Sequence, residues 1–578
     1  MRSTDAIAAP SALPRFACPD WWERIQRGEV PAPTVPLNEA RAAKALAFFN
    51  RLRLPDVPGN PPLSEACGDW FRFILCAFLA SEDPVTKRRL VWELLCMVPK
   101  KNSKTTYVAA LGLTALYMEE APNRQMLIVA PSQNVSERCF EQAQGMIRID
   151  QRLTQIFQVQ DHHKCITRRK TGTQLNVKSF DTQIVVGEIP VLTIIDEVHE
   201  LGKKAKAAAV MQQIRGGGIT MQGGQVLMIT TQSDEPPAGI WKTELKKARA
   251  IREGKGGANP IMLPVLYEYP QALQREDKKH PDKTFWRDRK NWPLLLPNLG
   301  RSIDPERLIE DYENNGKVNP EAEQIWVSQH LNIEVGVGIS QDGWTGADFW
   351  PQAVDETLTL DTLLERCEVI TIGADGGGLD DLMGVAVIGR ERETREWLAW
   401  CHAFADPKVL ERRPEIAPRL QDFKAEGTLT LADTKTRQAE LVKLLRRLVE
   451  SGLLPQENAA GVDPNNVAAL FEAFEEAGIT DEQIKRLLQG RALQPGLFGL
   501  ELKLDDGTLW HADQDLMNWV VGNAKIEPLG NYVIVTKQIS GRAKIDPFIA
   551  LMQAAILMSW NPDAPVDISD FLRNAVMV

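Results

Sequence analysis

The stretch LVWELLCMVPKKNSKTTYVAALGLTALYMEE, at residues 90–120, decides the fold of the first half of the chain. It opens with a largely apolar run, which is typical of a strand buried on both faces of a parallel sheet. A basic turn, PKKNSKTT, follows at once, and a helical stretch comes after the turn. A strand, a loop and a helix in this order can wrap backbone N–H groups around an anion. The stretch therefore predicts a phosphate loop.

Two residues of this turn have the side chains that a phosphate loop needs. Lys104 and Thr105 occupy the positions of the lysine that binds the β- and γ-phosphates and of the hydroxyl that binds Mg²⁺. The usual glycines are absent, because Val98 and Ser103 stand in their places. By this motif alone, an ordinary basic turn is the simpler interpretation. If the loop needs a positive φ at Ser103, strain there costs about 1 kcal/mol and weakens nucleotide affinity.

Two later strands supply the context that favours a nucleotide site. The apolar run VLTIID ends in Asp196 and is followed by Glu197, an arrangement in which the aspartate holds Mg²⁺ and the glutamate polarises a water. Another run, QVLMIT, leads into TTQS at 230–233, whose hydroxyl and amide groups could sense a γ-phosphate. With QMLIVA at 125–130, these runs predict a parallel α/β sheet with polar groups at its carboxyl edge.

Four aspartates in the second half of the chain stand at strand ends, a turn or a helix start. Asp375 ends the run VITIGAD, Asp381 lies in the Gly-rich turn beyond it, and Asp463 ends AAGVD. Asp546 begins the apolar helix IDPFIALMQAAILM. Such carboxylates can converge on two divalent ions that clamp the attacking and leaving oxygens of a phosphodiester. An all-oxygen site suits Mg²⁺ or Mn²⁺, whereas each aspartate taken alone can be a cap or turn former.

The strands around Asp375 predict a second α/β sheet. VITIGAD, LMGVAVIGR and EWLAWCHAF, joined by short turns, indicate an antiparallel meander at one edge of that sheet. With the later strand before Asp463 and a helix at about 545–559, this order is typical of an RNase-H-like nuclease core. A last strand, YVIVTK, precedes that helix. Basic residues beside the predicted metals would contact phosphates, namely Lys537, Arg542 and Lys544.

Composition limits the class of protein. Among 578 residues, 67 are Lys or Arg and 77 are Asp or Glu, for a net charge of -10. This balance excludes a basic coat over the whole surface but not a local basic groove. Eight cysteines are scattered without a C-x-x-C pair, so neither a disulfide framework nor a zinc ribbon is expected. There is no stretch apolar enough to span a bilayer and no secretory signal, which predicts a soluble intracellular protein.

The sequence divides into four expected segments. Residues 1–60, rich in Pro and Ala, predict an extended N-terminal arm with one helix near 37–53. A phosphate-loop ATPase domain of RecA/ASCE-like α/β fold is expected at 61–335. A linker at 336–350 would lead to an RNase-H-like nuclease domain at 351–578.

This combination resembles the large terminase subunit of tailed bacteriophages. More narrowly, it is similar to the branch whose Walker A loop has a basic residue followed by Asn-Gly-Lys, with Ser103 here in place of the glycine. Further segments similar to the family follow in order between residues 63 and 560. They are IIDEVHEL, ITTQSDEP, LPNLGRSI, IGADGGGLDDL, GVDPNNVAALFEAFEEAG, MNWVVGNA and KIDPFIALMQA.

The resemblance implies a motor that uses ATP to pump double-stranded viral DNA through a portal into a procapsid and cuts the concatemer. It implies Mg²⁺ (or Mn²⁺ in the nuclease) as cofactor and the host cytoplasm as location. The implied partners are a small terminase subunit, the portal protein and other copies in a ring of about five.

By position, Glu197 would be the hydrolytic base, and Thr231 would couple hydrolysis to DNA movement. Asp375, Asp463 and Asp546 would be catalytic metal ligands of the nuclease, with Asp381 a fourth ligand. The implied ATP-binding set comprises Lys101, Asn102, Ser103, Lys104, Thr105, Thr106, Asp196 and Thr231.

Several alternatives stay open on the sequence. A helicase–nuclease of DNA repair would need a second RecA-like domain after Thr231, and a non-enzymatic DNA-binding assembly factor would have a dead phosphate loop. Arg138 and Arg215 are both candidates for the arginine that completes the ATPase site. His511 matches a position near the family's nuclease site, but it can equally be a structural histidine at a helix start.

Overall fold

The apolar runs of the first half of the chain form one eight-stranded sheet in the computed structural model. Its strands are β1 (Glu93–Met97), β2 (Gln125–Ala130), β3 (Phe157–Gln160), β4 (Cys165–Arg168), β5 (Gln174–Ser179), β6 (Leu192–Asp196), β7 (Gln225–Thr230) and β8 (Met262–Leu266). The spatial order is β3-β4-β5-β2-β6-β7-β1-β8. The strands from β5 to β8 in this order are parallel, and β3 and β4 add an antiparallel edge. The predicted parallel α/β sheet is confirmed.

Helices cover this sheet and supply its connections. They are α1 (Trp21–Gln26), α2 (Glu39–Phe49), α3 (Leu63–Ala66), α4 (Asp69–Ala80), α5 (Lys104–Met118), α6 (Gln133–Arg148), α7 (Gln151–Ile156), α8 (Ala207–Thr220), α9 (Gly239–Arg252), α10 (Gln271–Gln274), α11 (Pro305–Asp311) and α12 (Pro320–Leu331). Strands β1, β6, β7 and β8 are buried along their whole length, which explains their apolar sequences. Because β6, β7 and β1 are adjacent and parallel, their following loops lie at one edge of the sheet.

The chain divides into two units, Met1–Ile339 and Ser340–Val578. The structure describes residues 14–179, 190–204, 207–220, 224–257, 259–276, 280, 283–335, 344–376, 381–464, 468–529, 532–537 and 544–565. Among the described helices, none has both the length and the apolar character required to cross a bilayer.

The N-terminal segment is not the extended arm that its composition predicted. Its described part, from residue 14 onward, contains α1 and α2, the second of which confirms the helix expected near 37–53. Phe16, Trp21 and Phe49 belong to the same hydrophobic core as β1. Prolines break this segment into short pieces, but its aromatic side chains bury enough apolar surface to fix the pieces on the first unit.

The second unit contains another eight-stranded sheet. Its strands are β9 (Val354–Asp355), β10 (Cys367–Asp375), β11 (Met383–Glu391), β12 (Trp397–Ala405), β13 (Leu429–Leu431), β14 (Ala460–Val462), β15 (Ile484–Arg486) and β16 (Leu509–Ala512). The main order is β15-β14-β10-β11-β12-β16-β9, with β13 beside β12. Strands β10, β11 and β12 form the antiparallel meander, and β14 and β15 run parallel to β10 on its other side. This confirms the RNase-H-like fold class.

Two details of this sheet differ from the prediction. The meander does not end at a sheet edge, because β16 and β9 continue the sheet beyond β12. The strand YVIVTK, β18 (Tyr532–Lys537), pairs only with β17 (Ala524–Leu529) among the described strands. These short additions lack a sequence signal of their own because each is defined mainly by its tertiary neighbour.

Helices cover both faces of the second sheet. They are α13 (Leu360–Arg366), α14 (Val409–Arg412), α15 (Ala417–Glu426), α16 (Thr434–Glu450), α17 (Ala468–Ala477), α18 (Gln494–Asp505), α19 (Asp515–Gly522) and α20 (Asp546–Ser559). The buried helix α20 packs directly on β10 and β11. A Cβ atom added at Gly373 would fall 1.8 Å from the carbonyl oxygen of Ala550, so glycine is required for this close approach.

The expected linker at 336–350 is only partly a linker. Residues 336–343 lie outside the described residues, but Trp344 and Trp350 are buried in the core of the second unit. A short 3₁₀ turn at Thr345–Asp348 lies between them, and a second one, Trp350–Gln352, begins at Trp350. Large aromatic side chains of this kind anchor a segment by burial, so the second unit begins before residue 351.

Candidate active sites

The turn after β1 has the backbone of a phosphate loop without its glycines. Helix α5 begins at Lys104, and the residue before it, Ser103, has φ 57° and ψ 28°. Lys101 also has a positive φ, of 69°. Both values lie in the left-handed region that side chains disfavour. Ser103 therefore has the positive φ that makes a serine strained at this position, and the loop adopts this conformation despite the strain.

The edge of the first sheet brings the predicted phosphate loop and the end of β6 into contact. Lys104 is buried, and its Nζ lies 3.6 Å from Oε1 of Glu197. The hydroxyl of Thr105 donates a hydrogen bond of 2.8 Å to Oδ2 of Asp196. Four residues predicted from separate parts of the sequence thus form two adjacent pairs.

The second oxygen of Asp196 is placed to interact with a cation. The carboxylate is fully buried, and Oδ1 has no hydrogen-bond partner among the residues that the structure describes. Burial, together with the neighbouring charge of Glu197, raises the pKa of Asp196 above its ordinary value. A buried carboxylate oxygen beside a threonine hydroxyl is a donor set that suits Mg²⁺.

Glu197 is held as a carboxylate. It has φ 54°, and its Oε2 accepts a hydrogen bond of 3.3 Å from the backbone N–H of Thr231. Burial alone would raise the pKa of Glu197, but the ammonium of Lys104 and the imidazole of His199 hold that pKa below its ordinary value. An ionised carboxylate at this point can accept a proton from water.

Sequence reasoning missed His199, which contacts the same carboxylate. Its Nδ1 lies 3.3 Å from Oε2 of Glu197 and 2.7 Å from the hydroxyl of Thr230, and its Nε2 lies 3.1 Å from Oε1 of Glu200. Burial by itself would lower the pKa of His199. Hydrogen bonds to the two glutamates outweigh that effect and raise the pKa of His199 above its ordinary value. The available signal was the short spacing in DEVHE, which a 3₁₀ turn at Val198–Lys203 brings back onto the strand end.

The remaining residues of the implied ATP-binding set differ in their surroundings. Lys101 is exposed, and Thr106 is half-buried in the first turn of α5. Thr231 is buried, and its hydroxyl has no hydrogen-bond partner within the described residues. Asn102 differs from them, because its side chain is fully buried and donates to the carbonyls of the loop itself.

The two candidate arginines are also separated by the structure. Arg215 is bonded at 2.7–2.8 Å to both oxygens of Glu93 and of Glu244. Glu93 is the first residue of β1, so this cluster lies at the opposite end of the strand from the phosphate loop. Arg215 is thus a structural residue in this chain, whereas Arg138 is exposed on α6.

The second sheet brings three of the four aspartates to one edge. Asp375 is the last residue of β10, and Asp463 directly follows β14, whose Val462 pairs in parallel with Ala374. Asp546 begins α20 over Gly384, the residue of β11 that pairs with Asp375. All three aspartates are buried, with 3%, 4% and 6% of their surfaces exposed. We call Asp375, Asp381, Asp463 and Asp546 the acidic cluster.

Two contacts of the acidic cluster involve an amide and a lysine. Gln489 Nε2 donates a hydrogen bond of 3.1 Å to Asp375, and Lys544 Nζ lies 2.6 Å from Asp381. Carboxylate oxygens suit a hard divalent cation by their chemistry. Within the described parts of the chain, however, no three His, Cys, Asp or Glu side chains lie close enough together to hold a metal ion. The oxygen donors of these aspartates suit a divalent cation chemically, but they are too far apart in this structure to bind one ion together.

The basic residues predicted beside these aspartates have different outcomes. Lys544 is buried and paired with Asp381, so it does not present a free ammonium group to a phosphate. Lys537 ends β18, and Arg542 lies outside the described residues. Lys544 thus balances the negative charge of the cluster from within the fold.

His511 has a structural position. It lies in β16, which is three strands away from β10, or about 14 Å at the usual strand spacing. The ring stacks on Trp350 at 3.8 Å between centroids, and its two nitrogens lie 2.9 and 2.7 Å from the carbonyls of Ala512 and Trp350. The structure therefore does not bring His511 to the acidic cluster.

Comparison with known proteins agrees with this arrangement. Residues 70–248 match the family described as terminase large subunit, ATPase domain. The terminase large subunits of Lactococcus phages p2 and SK1 are each 22% identical over 502 residues, covering 84% of this chain and 85% of theirs. The chain is thus similar to phage large terminases over most of its length. The matched region of this chain contains the predicted phosphate loop, Asp196, Glu197 and Thr231.

A solved structure is also similar to most of this chain. The crystal structure of the HK97 bacteriophage large terminase is 17% identical and covers 89% of this chain and 99% of its own, with a TM-score of 0.45.

Proposed function

We propose that this chain hydrolyses ATP to drive double-stranded DNA into a procapsid and cuts concatemeric DNA with a metal-dependent nuclease. The observation that supports this proposal best is the convergence of Lys104 with Glu197 and of Thr105 with Asp196. The ATPase is assigned to residues 61–335, to which the packed segment 14–60 is added, and the nuclease to the second unit.

In the ATPase site, each residue has a distinct role. Lys104 binds the β- and γ-phosphates, and Thr105 and Asp196 hold Mg²⁺, which neutralises phosphate charge when bound. Glu197 orients the attacking water and accepts its proton, because its carboxylate stays ionised beside Lys104. His199 fixes the orientation of Glu197 through its ring Nδ1.

Thr231 is positioned to report the state of Glu197. Its backbone N–H donates to the glutamate, and the next residue, Gln232, donates its own N–H to Oδ1 of Asn332, just beyond α12. A change in the glutamate's hydrogen bonds on hydrolysis would shift this segment. Thr231 thus couples the chemical step to movement.

In the nuclease site, Asp375, Asp463 and Asp546 would hold two Mg²⁺ or Mn²⁺ ions, with Asp381 as a fourth ligand. The ions would supply Lewis-acid stabilisation of the phosphodiester and an activated water. The carboxylates orient that water and, being buried, exclude bulk solvent from it.

The packaging assembly supplies the rest of the function. A ring of about five copies on the portal protein, with a small terminase subunit for site recognition, would work in the host cytoplasm. The helicase–nuclease alternative gains no support, because the described residues of the first unit after Thr231 contain a single further strand, β8.

Steady-state ATP hydrolysis by the full chain tests the proposal. Replacing the base in Glu197→Gln should reduce kcat by at least about 100-fold, because proton abstraction from water is lost. The matched control is Glu306→Gln, at an exposed site on α11, which should hydrolyse ATP like the wild type. Equal turnover by Glu197→Gln and wild type would contradict the ATPase assignment, and no turnover by the wild type would favour the assembly-factor alternative.

A further inference from the structure

The carbonyl groups of the phosphate loop are bound by side-chain donors. Four consecutive carbonyls, from Pro99 to Asn102, accept hydrogen bonds from side chains. Asn102 Nδ2 donates to Pro99 and Lys100, at 3.0 and 3.4 Å. The other two donors come from the turn at 296–303, nearly two hundred positions along the chain.

That turn contacts the loop through two residues. The hydroxyl of Ser302 donates to the carbonyl of Lys101 at 2.5 Å, and Asn298 Nδ2 donates to the carbonyl of Asn102 at 3.2 Å. The backbone N–H of Asn298 also donates to Oδ1 of Asn102 at 3.0 Å. We call Asn102, Asn298 and Ser302 the carbonyl clamp.

The orientation of both amides in the carbonyl clamp is fixed by their neighbours. The indole N–H of Trp70 can only donate, and it lies 2.9 Å from Oδ1 of Asn298, so the NH₂ of that amide must face Asn102. The amide of Asn102 has a carbonyl-facing NH₂ and an oxygen facing the N–H of Asn298. Each polar atom therefore meets a complementary partner.

The carbonyl clamp determines where the N–H groups of the loop point. In a trans peptide the C=O and N–H bonds are directed to opposite sides. Because the carbonyls of Lys100, Lys101 and Asn102 face the clamp, the N–H groups of Lys101, Asn102 and Ser103 face away from it. In the part of the chain that the structure describes, these three N–H groups make no hydrogen bond.

We propose that the carbonyl clamp positions the phosphate loop for nucleotide binding, in place of the glycines that the loop lacks. Glycine normally lets the peptides turn their N–H groups toward the anion. Here Lys101 and Ser103 adopt positive φ without glycine, and side-chain donors from outside the loop hold their peptides in that orientation. Asn298 and Ser302 are positioning residues, acting on the nucleotide through the loop. This inference rests on the proposed ATPase function.

The experiment measures KM for ATP, kcat and the affinity for a fluorescent ADP analogue in the full chain. Ser302→Ala removes one donor from an exposed position, and Asn298→Ala removes the buried amide. We expect KM and the Kd of the analogue to rise about tenfold in each variant, because each variant loses one hydrogen bond that holds a loop carbonyl in position. The kcat should stay within about twofold, because Lys104 and Glu197 are unchanged.

Two further variants separate positioning from general stability. Ser302→Thr keeps the hydroxyl and should restore KM, whereas Asn319→Ala removes the N-cap of α12 and should lower thermal stability without changing KM. If Asn298→Ala does not fold, the comparison of Ser302→Ala with Ser302→Thr still tests whether the carbonyl clamp positions the loop.

The outcomes for the carbonyl clamp and for the ATPase function can be told apart. An unchanged KM in folded Ser302→Ala, beside a wild type whose turnover is abolished by Lys104→Met, would overturn the clamp alone. Failure of the wild type to bind or hydrolyse ATP would overturn both.

Discussion

The two candidate active sites of this chain balance their charges in different ways. In the ATPase site, acidic groups face basic ones, because Lys104 meets Glu197 and His199 lies between Glu197 and Glu200. In the acidic cluster, three buried aspartates share one sheet edge, Asp375 accepts from the neutral amide of Gln489, and the nearby Lys544 pairs with Asp381.

This difference indicates what each site needs from its cofactor. The ATPase site is held together by its own opposite charges, so its geometry forms before nucleotide arrives. The acidic cluster has four carboxylates and an ion pair with Lys544, so we expect a divalent cation to relieve the remaining repulsion between its like charges. We therefore expect the first site to be preorganised by the protein and the second to need a bound metal ion to complete it.

The largest expected effect is on DNA cleavage. Asp375→Asn should lower Mn²⁺-dependent plasmid nicking by about 1,000-fold, because several kcal/mol of metal-based stabilisation are lost. Its free energy of unfolding should not fall, since one like charge is removed and the amide can still accept from Gln489. Asp506→Asn, at an exposed site on the same unit, is the matched control. If Asp375→Asn still nicks the plasmid at the wild-type rate, Asp375 is not a metal ligand of the nuclease.

The corresponding change in the ATPase site should have the opposite effect on stability. Lys104→Met should reduce ATP turnover about 100-fold or more through loss of phosphate stabilisation. It should also cost about 3 kcal/mol of unfolding free energy, because the buried carboxylate of Glu197 loses the ammonium of Lys104 and keeps only His199 as a basic neighbour. Lys44→Met, which removes an exposed ion pair, provides the reference in urea unfolding. A Lys104→Met protein as stable as the wild type would show that the two sites do not differ in this way.

Metal addition should sharpen the comparison further. Hydrogen exchange of peptides around Asp375 and Asp463 should slow in Mg²⁺ or Mn²⁺ relative to EDTA. At a metal concentration 100 times the Kd, binding should increase the free energy of local opening by about 2.7 kcal/mol. Peptides of β1 and β6 should change less under the same conditions without nucleotide. The variant Asp463→Asn should lose most of the protection, and equal protection in that variant would contradict a shared metal at this edge.

Much of the fold could be predicted because its strands are long, apolar and buried on both faces. The runs that became β1, β2, β6 and β7 have that pattern, and residues at parallel strand ends must lie at one edge. The same geometry placed Asp375 beside Asp463 from sequence order alone.

Contacts across long sequence distances could not be predicted. Asn298 and Ser302 belong to a turn with no regular pattern, and only the packing of that turn on the phosphate loop gives them a partner. His199 was missed because a histidine near a strand end has no periodic signal, and Arg215 was misjudged because its partners Glu93 and Glu244 lie far from it in sequence.

The smallest expected effect concerns Ser103, whose strain is present in the folded protein before nucleotide binds. Ser103→Gly should raise the free energy of unfolding by about 0.5 kcal/mol, because relief of the left-handed strain is partly offset by the greater freedom of glycine in the unfolded chain. KM for ATP should change less than about twofold, because the carbonyl clamp still fixes the loop. Lys87→Gly, at another exposed residue with positive φ, should give a similar gain in urea unfolding and leave KM unaltered. A large fall in KM specific to Ser103→Gly would mean that the loop is not preorganised for ATP. The two sites would then differ only in how their charges are balanced.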